Sequence, residues 1–236
     1  MSVAPRAIFK YGVEPAIFEF EVAGFAGTLD LTVEVVSQRT REVVRRLPVE
    51  DVEANVPATV RWNGRTEDGG AKAGMYRFQV HGRAEKLDSE GAEGIRTVGF
   101  HKYKFPVRGP HQYGDGIGAG RGHRGQDLFA DCGTPLDAVR AGRVQFKGFQ
   151  ASGAGYYVVI DGKRTGKDYV YMHLAQGAEV EQGQRVGTGQ RIGEVGETGN
   201  ASGCHLHFEL WSAPGWYEGG EFLNPTPALR RWDRYS

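Results

Sequence analysis

The sequence predicts an all-β protein of two domains, a β-sandwich followed by a sheet rich in tight turns. Three observations lead to this prediction. Apolar and polar residues alternate with period two in several short segments. No segment has a convincing amphipathic helical pattern, although a short helical turn is expected near residues 227–232. The 236 residues include 36 glycines, twice the usual share of roughly 7%, and 25 of these glycines follow residue 100.

Charge and hydropathy exclude several classes of function. Lys and Arg total 29, as do Asp and Glu, so the formal net charge is zero. Because binding to phosphate needs a positive excess, we expect no nucleic-acid binding. No run of about 18 apolar residues is present, so we expect no transmembrane segment. Residues 1–15 lack an apolar core, so we expect no signal peptide in this chain, which fits either a cytosolic protein or a piece of an exported one.

The first hundred residues contain candidate strands separated by turn residues. Alternation predicts strands over 16–22, 29–36, 59–62 and 75–80. The dipeptides Asn63-Gly64 and Gly69-Gly70 indicate turns. Short strands at such intervals are typical of a β-sandwich.

A set of aromatic and glycine positions in this region resembles the Ig-like domain of flagellar hook-capping proteins. These positions are Trp62, Asn63, Gly64, Gly69, Gly74, Tyr76 and Phe78. The resemblance implies an Ig-like sandwich, which we place at residues 1–84. Residues 85–103 are assigned to a linker because the segment is largely polar and lacks periodicity. The second domain is then 104–236.

The second domain carries its histidines on candidate strands. Strands are predicted over 143–146, 156–160, 169–174, 191–195 and 204–211. In the last of these, alternation puts His205, His207, Glu209 and Trp211 on the face opposite Cys204, Leu206, Phe208 and Leu210. The same rule puts Tyr169, Tyr171 and His173 on one face of strand 169–174. His123 and Asp127 are four residues apart, which brings them to one side of a strand and nearly so in a helix.

Imidazole and carboxylate ligands with one open coordination position are typical of catalytic zinc. The two cysteines fit poorly as ligands, because Cys204 is expected to point away from the histidines. Cys132 has no thiol near it in the sequence. The clustered histidines therefore favour a metal site that performs chemistry.

The motifs of this domain, taken in order, resemble those of the lysostaphin/LytM-type zinc metallopeptidases over residues 104–214. They are His123-Arg-Gly-Gln-Asp127, Gly133-Thr-Pro135, Tyr171-Met-His173-Leu174, Gly189-Gln-Arg-Ile-Gly193, Thr198-Gly-Asn-Ala-Ser-Gly203 and His205-Leu-His207-Phe-Glu209. The resemblance implies a lysostaphin-type antiparallel β-sheet with a narrow groove. It also implies a zinc-dependent endopeptidase acting on peptidoglycan peptides, and hence an extracytoplasmic or cell-envelope location.

The resemblance further implies a role for each site residue. His123, Asp127 and His207 match the ligands of one zinc ion per chain, and His173 and His205 match the catalytic pair. We expect His205 to orient or deprotonate the attacking water and His173 to assist the tetrahedral intermediate. Tyr113 is a weaker candidate for stabilising the transition state, and a packing role is favoured for it.

The two cysteines are candidates for a disulfide. If the segments of Cys132 and Cys204 flank one zinc ion, they are neighbours, and a bridge between them would favour an oxidising compartment. Two buried free thiols are the alternative.

Other functions stay open at this point. The same fold could serve as a non-catalytic regulator of a cell-wall amidase or a divisome partner, although such proteins usually lack the metal ligands. A biotinyl or lipoyl carrier would need a modifiable lysine at a hairpin tip, and none is seen. The N-terminal domain could position the catalytic domain, bind a protein partner or occlude the groove.

Overall fold

A computed structural model describes residues 1–82, 97–120 and 122–236. The chain divides into two compact units. The first comprises Met1–Lys10 and Glu14–Lys102, and the second comprises Tyr11–Val13 and Tyr103–Ser236. Strands dominate both units, as the all-β prediction requires. In the described residues, no helix has the length and apolar character needed to cross a membrane.

The strands of the first unit alternate buried and exposed side chains. They are β1 (Ser2–Ala4), β2 (Ala7–Phe9), β3 (Ala16–Phe20), β4 (Thr28–Ser37), β5 (Val43–Glu53), β6 (Ala58–Trp62), β7 (Arg65–Thr66), β8 (Gly69–Gly70), β9 (Gly74–Gly82) and β10 (Thr97–His101). The prediction of a turn at Gly69-Gly70 is therefore wrong. This dipeptide pairs with β7, and the intervening Glu67 and Asp68 make the turn.

Two sheets of the first unit share one hydrophobic core. One sheet has the strand order β1-β3-β6, and the other has the order β2-β10-β9-β4-β5. Phe18 of the first sheet stacks on Phe78 of the second, with ring centroids 4.9 Å apart. Trp62 of the first sheet and Tyr76 of the second are also in contact, with tilted rings whose centroids lie 4.8 Å apart. This arrangement is a sandwich of two sheets, and its Ig-like character stays a prediction.

The end of the predicted linker belongs to the first unit. Thr97–His101 forms strand β10, which pairs in parallel with β2 and antiparallel with β9. Val98 and Phe100 are buried in the core between the sheets. The linker prediction is therefore wrong for these residues, because pairing with distant strands makes a strand of a short segment. Residues 85–96 of the predicted linker lie outside the described residues.

The second unit has ten strands and one helix in its described part. Its elements are β11 (Gln112–Tyr113), β12 (Gln126–Phe129), β13 (Pro135–Asp137), β14 (Gly142–Gln150), β15 (Gly155–Gly162), β16 (Lys167–Leu174), β17 (Arg185–Val186), β18 (Arg191–Glu194), β19 (His205–Ser212), β20 (Phe222–Leu223) and α1 (Thr226–Asp233). The helix confirms the helical turn expected near residues 227–232.

The main sheet of the second unit is antiparallel and carries the candidate site. Its order is β11-β12-β19-β16-β15-β14-β17, and β20 also pairs with β19. The strands β15 and β16 form a hairpin whose tip lies at residues 163–166, within the polar run that predicts it. One face of β16 and β19 packs into the main core through Tyr169, Tyr171, Leu206, Phe208 and Leu210. The opposite face of β19 carries His205 and His207.

Candidate metal centre

Two of the predicted ligands are a cross-strand pair. Asp127 in β12 lies directly opposite His207 in β19. Opposite residues of antiparallel strands share a face, with Cβ atoms about 5 Å apart. The side chains accordingly meet, and Asp127 Oδ1 is 2.8 Å from His207 Nδ1. The register of the sheet therefore fixes this part of the site.

The third predicted ligand comes from the irregular segment before β12. His123 donates its Nδ1–H to the Gly116 carbonyl oxygen over 2.9 Å. Its Nε2 lies 3.0 Å from Asp127 Oδ1. The nitrogen, oxygen and nitrogen donor atoms of His123, Asp127 and His207 all lie within 4.8 Å of one another. The three side chains therefore converge on one point.

This donor set fits a zinc ion. Two zinc–ligand bonds of about 2.0–2.1 Å at a tetrahedral angle separate their donor atoms by about 3.3 Å, close to the 3.0 and 2.8 Å seen around Asp127. Each of the two imidazoles also has its other nitrogen next to an oxygen, as metal-binding histidines usually do. Three protein ligands leave a tetrahedral ion one further position.

His173 and His205 lie beside this group. Their ring centroids are 4.7 Å apart, and His205 Nε2 is 3.8 Å from Asp127 Oδ1. His173 donates its Nδ1–H to the carbonyl of Thr198, and His205 donates its own to the carbonyl of Gly203, both over 2.8 Å. A carbonyl only accepts, so each neutral ring has its proton on Nδ1. Each therefore presents an unprotonated Nε2.

The predicted facing of strand β16 is wrong at His173. Alternation puts His173 on the face of Tyr169 and Tyr171, but those two tyrosines are buried in the main core. His173 has a left-handed backbone with φ of 63°, and its N–H bonds to the Ala154 carbonyl over 2.8 Å. The pairing of β15 and β16 shifts register at this end. The irregular backbone brings the His173 ring next to His205 instead.

Burial and neighbouring charges shift the pKa values of the site in different directions. Burial lowers the pKa of His173 to about 4, and the charges of His205 and His207 act in the same sense. Burial would raise the pKa of Asp127, but the hydrogen bond and charge of His207 hold it below its usual value. Burial likewise opposes charge on His207, yet its bonds to Asp127 and Glu209 raise its pKa to about 9.

Glu209 and Trp211 extend the site along β19, and the sequence reading assigned them no role. Glu209 Oε1 lies 3.1 Å from His207 Nε2, and Trp211 donates its Nε1–H to Glu209 Oε2 over 2.7 Å. The sequence does indicate that Glu209 and Trp211 lie near the site, because alternation places both residues on the same face of the strand as His207. A buried carboxylate beside a metal-binding histidine is a common support for such a ligand.

Tyr113 and His111 lie against the C-terminal helix. The Tyr113 hydroxyl donates to Asp233 Oδ2 over 3.3 Å, and the Arg230 guanidinium lies 4.8 Å from the Tyr113 ring centroid. His111 Nε2 is 3.3 Å from the same Asp233 oxygen. These contacts support the packing role favoured for Tyr113.

Cys132 and Cys204 form a disulfide with Cα atoms 5.3 Å apart. Cys132 follows β12 and Cys204 immediately precedes β19. The bridge therefore ties together the two strands that carry Asp127 and His207. Glu197 lies close to both sulfur atoms, but a disulfide provides no thiolate for a metal.

Comparison with known proteins identifies this unit. Residues 121–225 match Peptidase family M23. The chain contains an M23 peptidase domain. The matched range includes His123, Asp127, His173, His205 and His207.

Relatives of the M23 domain include curated proteins and solved structures. An uncharacterized metalloprotease of Haemophilus influenzae is 40% identical over 38% of this chain and 18% of its own length. The L-Ala--D-Glu endopeptidase of Bacillus subtilis is 29% identical over 72% of this chain and 57% of its own length. The chain thus spans less than two thirds of either relative. The catalytic domain of lysostaphin from Staphylococcus simulans is 29% identical, with a TM-score of 0.46 over 51% of this chain and 92% of that domain.

Proposed function

We propose that this protein is a zinc-dependent endopeptidase that hydrolyses peptide bonds of bacterial peptidoglycan. The convergence of His123, Asp127 and His207 beside two further histidines carries this proposal. The M23 match and the relatives named as peptidases support it. A peptidoglycan substrate would require a location outside the cytoplasm, and such a location suits the disulfide.

The metal ion and the histidines would have different roles in the reaction. His123, Asp127 and His207 would hold the zinc ion. A zinc ion at this site would polarise the scissile carbonyl and lower the pKa of a water molecule toward about 7. His205 Nε2, near Asp127, would accept the proton of the attacking water. That proton then passes to the leaving amine nitrogen as the carbon–nitrogen bond breaks, which yields a carboxylic acid and an amine. The acid proton then passes to the amine, so the products are a carboxylate and an ammonium group.

The tautomer of His173 defines its part in the reaction. Since its Nδ1–H is committed to the Thr198 carbonyl, the neutral ring accepts a hydrogen bond at Nε2 and does not donate one there. An acceptor at Nε2 of His173 is suited to orienting the attacking water. Stabilising the tetrahedral intermediate by donation, as the sequence reading expects, requires that Nε2 first gain a proton.

Purified protein comprising residues 1–236, incubated with muropeptides, provides the test. The substrates should include D-alanyl–diaminoacid cross-links and glycine-containing bridges, with products identified by mass spectrometry. We expect cleavage of one class, abolished by a chelator and restored by zinc. His205→Ala and His173→Ala should bind zinc as the wild type does but lose hydrolysis. Tight zinc binding without cleavage of any substrate would contradict the proposal and favour the regulator alternative.

A further inference from the structure

His207 is held differently from the other three histidines of the site. His123, His173 and His205 each donate Nδ1–H to a backbone carbonyl. His207 instead has Nε2 next to a carboxylate oxygen of Glu209, at 3.1 Å. Its Nδ1 is consequently the nitrogen that faces Asp127. The ring orientation of this ligand therefore depends on a side chain, whereas the others depend on the backbone.

Glu209 is itself fixed by a third residue on the same face of β19. The Trp211 indole donates its N–H to the second oxygen of Glu209 over 2.7 Å. The exposed fractions of His207, Glu209 and Trp211 are only 8%, 5% and 8%. In such a buried place an unpaired polar atom is costly. Each carboxylate oxygen has one donor, so the side chain cannot rotate without losing a bond.

We propose that Glu209 and Trp211 are positioning residues that select Nδ1 of His207 as the metal-binding nitrogen. Glu209 accepts a hydrogen bond from the Nε2–H of His207, which leaves the unprotonated Nδ1 to bind the ion. Trp211 holds the Glu209 carboxylate in the orientation that this bond needs. This inference rests on the proposed zinc site. Its consequence is that zinc affinity depends on a tryptophan that touches neither metal nor substrate.

Two substitutions separate the contributions of Glu209 and Trp211 to zinc binding. Glu209→Gln keeps the shape but has one acceptor oxygen, so either His207 or Trp211 faces an amide NH2 group. Loss of such a supporting partner typically weakens metal binding by about 10–100-fold. Trp211→Phe removes the indole donor and leaves one Glu209 oxygen unpaired. We expect a smaller loss of affinity from it, because the bond to His207 survives.

Trp216→Phe is the matched control. Trp216 is buried in the same small hydrophobic cluster as Trp211 and packs on Tyr157, with ring centroids 5.3 Å apart. Its replacement costs comparable packing but leaves the bond between Trp211 and Glu209 in place. We expect its zinc affinity to equal that of the wild type, whatever happens to its melting temperature.

The experiment measures zinc dissociation constants of the variants, each comprising residues 1–236, by competition with a chromophoric chelator. A second readout is the ¹⁵N chemical shifts of the His207 ring in the zinc-loaded protein. The wild type should bind zinc through Nδ1. Glu209→Gln should bind more weakly and show a mixture of both nitrogens bound. Trp211→Phe should have no further effect when combined with Glu209→Gln, because it acts through that carboxylate.

The outcomes distinguish the inference from the function on which it rests. A wild type that binds no zinc overturns the metal site and the inference with it. A wild type that binds zinc tightly while Glu209→Gln binds equally well overturns the inference alone. Equal losses from Trp211→Phe and Trp216→Phe also overturn it, since general packing would then explain both.

Discussion

Removal of the disulfide tests how the second unit is stabilised. The bridged cysteines are 72 residues apart in the chain. Because a cross-link reduces the conformational entropy of the unfolded chain, a loop of this length corresponds to about 4 kcal/mol. At roughly 2.1 cal/mol/K per residue, a unit of about 134 residues has an unfolding entropy near 0.28 kcal/mol/K. The double variant Cys132→Ser/Cys204→Ser should therefore melt about 15 °C lower.

Tryptophan fluorescence during heating is a suitable assay. Three of the four tryptophans, Trp211, Trp216 and Trp232, lie in the second unit, so the signal follows mainly that unit. Wild-type protein treated with a phosphine reductant is the control and should melt with the double variant. A shift below about 3 °C would refute the entropic argument. Two thiols titrating in denatured, unreduced wild type would refute the bridge itself.

Two further predictions concern individual buried groups. Burial raises the pKa of Asp168 from 3.8 to about 6, aided by the charges of Asp161 and Glu218 and opposed by a backbone N–H. The folded state therefore holds this proton more tightly, and stability should fall by up to about 3 kcal/mol between pH 4 and pH 6. Urea titrations of Asp168→Asn should lack this fall; parallel pH profiles for both proteins would contradict it. A Cβ on Gly125 would lie 2.7 Å from His207 Nε2. Gly125→Ala should cost about 1–3 kcal/mol and weaken zinc binding, whereas Gly203→Ala, with open space around it, should not; calorimetry of both variants measures the difference.

Alternation of apolar and polar residues predicted strands whose apolar face enters a core. The segment 29–36 is observed as Thr28–Ser37, and 204–211 is observed as His205–Ser212. In both, the inward side chains enter a core, so the pattern and the burial have the same cause.

Two observed strands were not recognisable from their own residues. Val43–Glu53 contains Pro48 and several charges, which argue against a strand. It forms one at the edge of its sheet, where proline is tolerated. Thr97–His101 depends on pairing with β2, nearly a hundred residues earlier. A single sequence does not show such partners.

The composition of the candidate site was more predictable than its geometry. The structure brings together His123, Asp127, His173, His205 and His207, the residues named from the sequence. It also shows what alternation cannot encode, which is the left-handed backbone of His173. The partner of each ring nitrogen is likewise visible only in three dimensions.

The backbone carbonyls of Gly116, Thr198 and Gly203 have a consequence for how this site can change. They fix the tautomers of three histidines without using any side chain. Side chains around the site can therefore be exchanged with the reactive nitrogens still correctly presented, as long as the turns keep their shape. An altered peptide specificity could be sought by mutating the walls of the site while the tautomers of these three histidines stay under the control of the main chain.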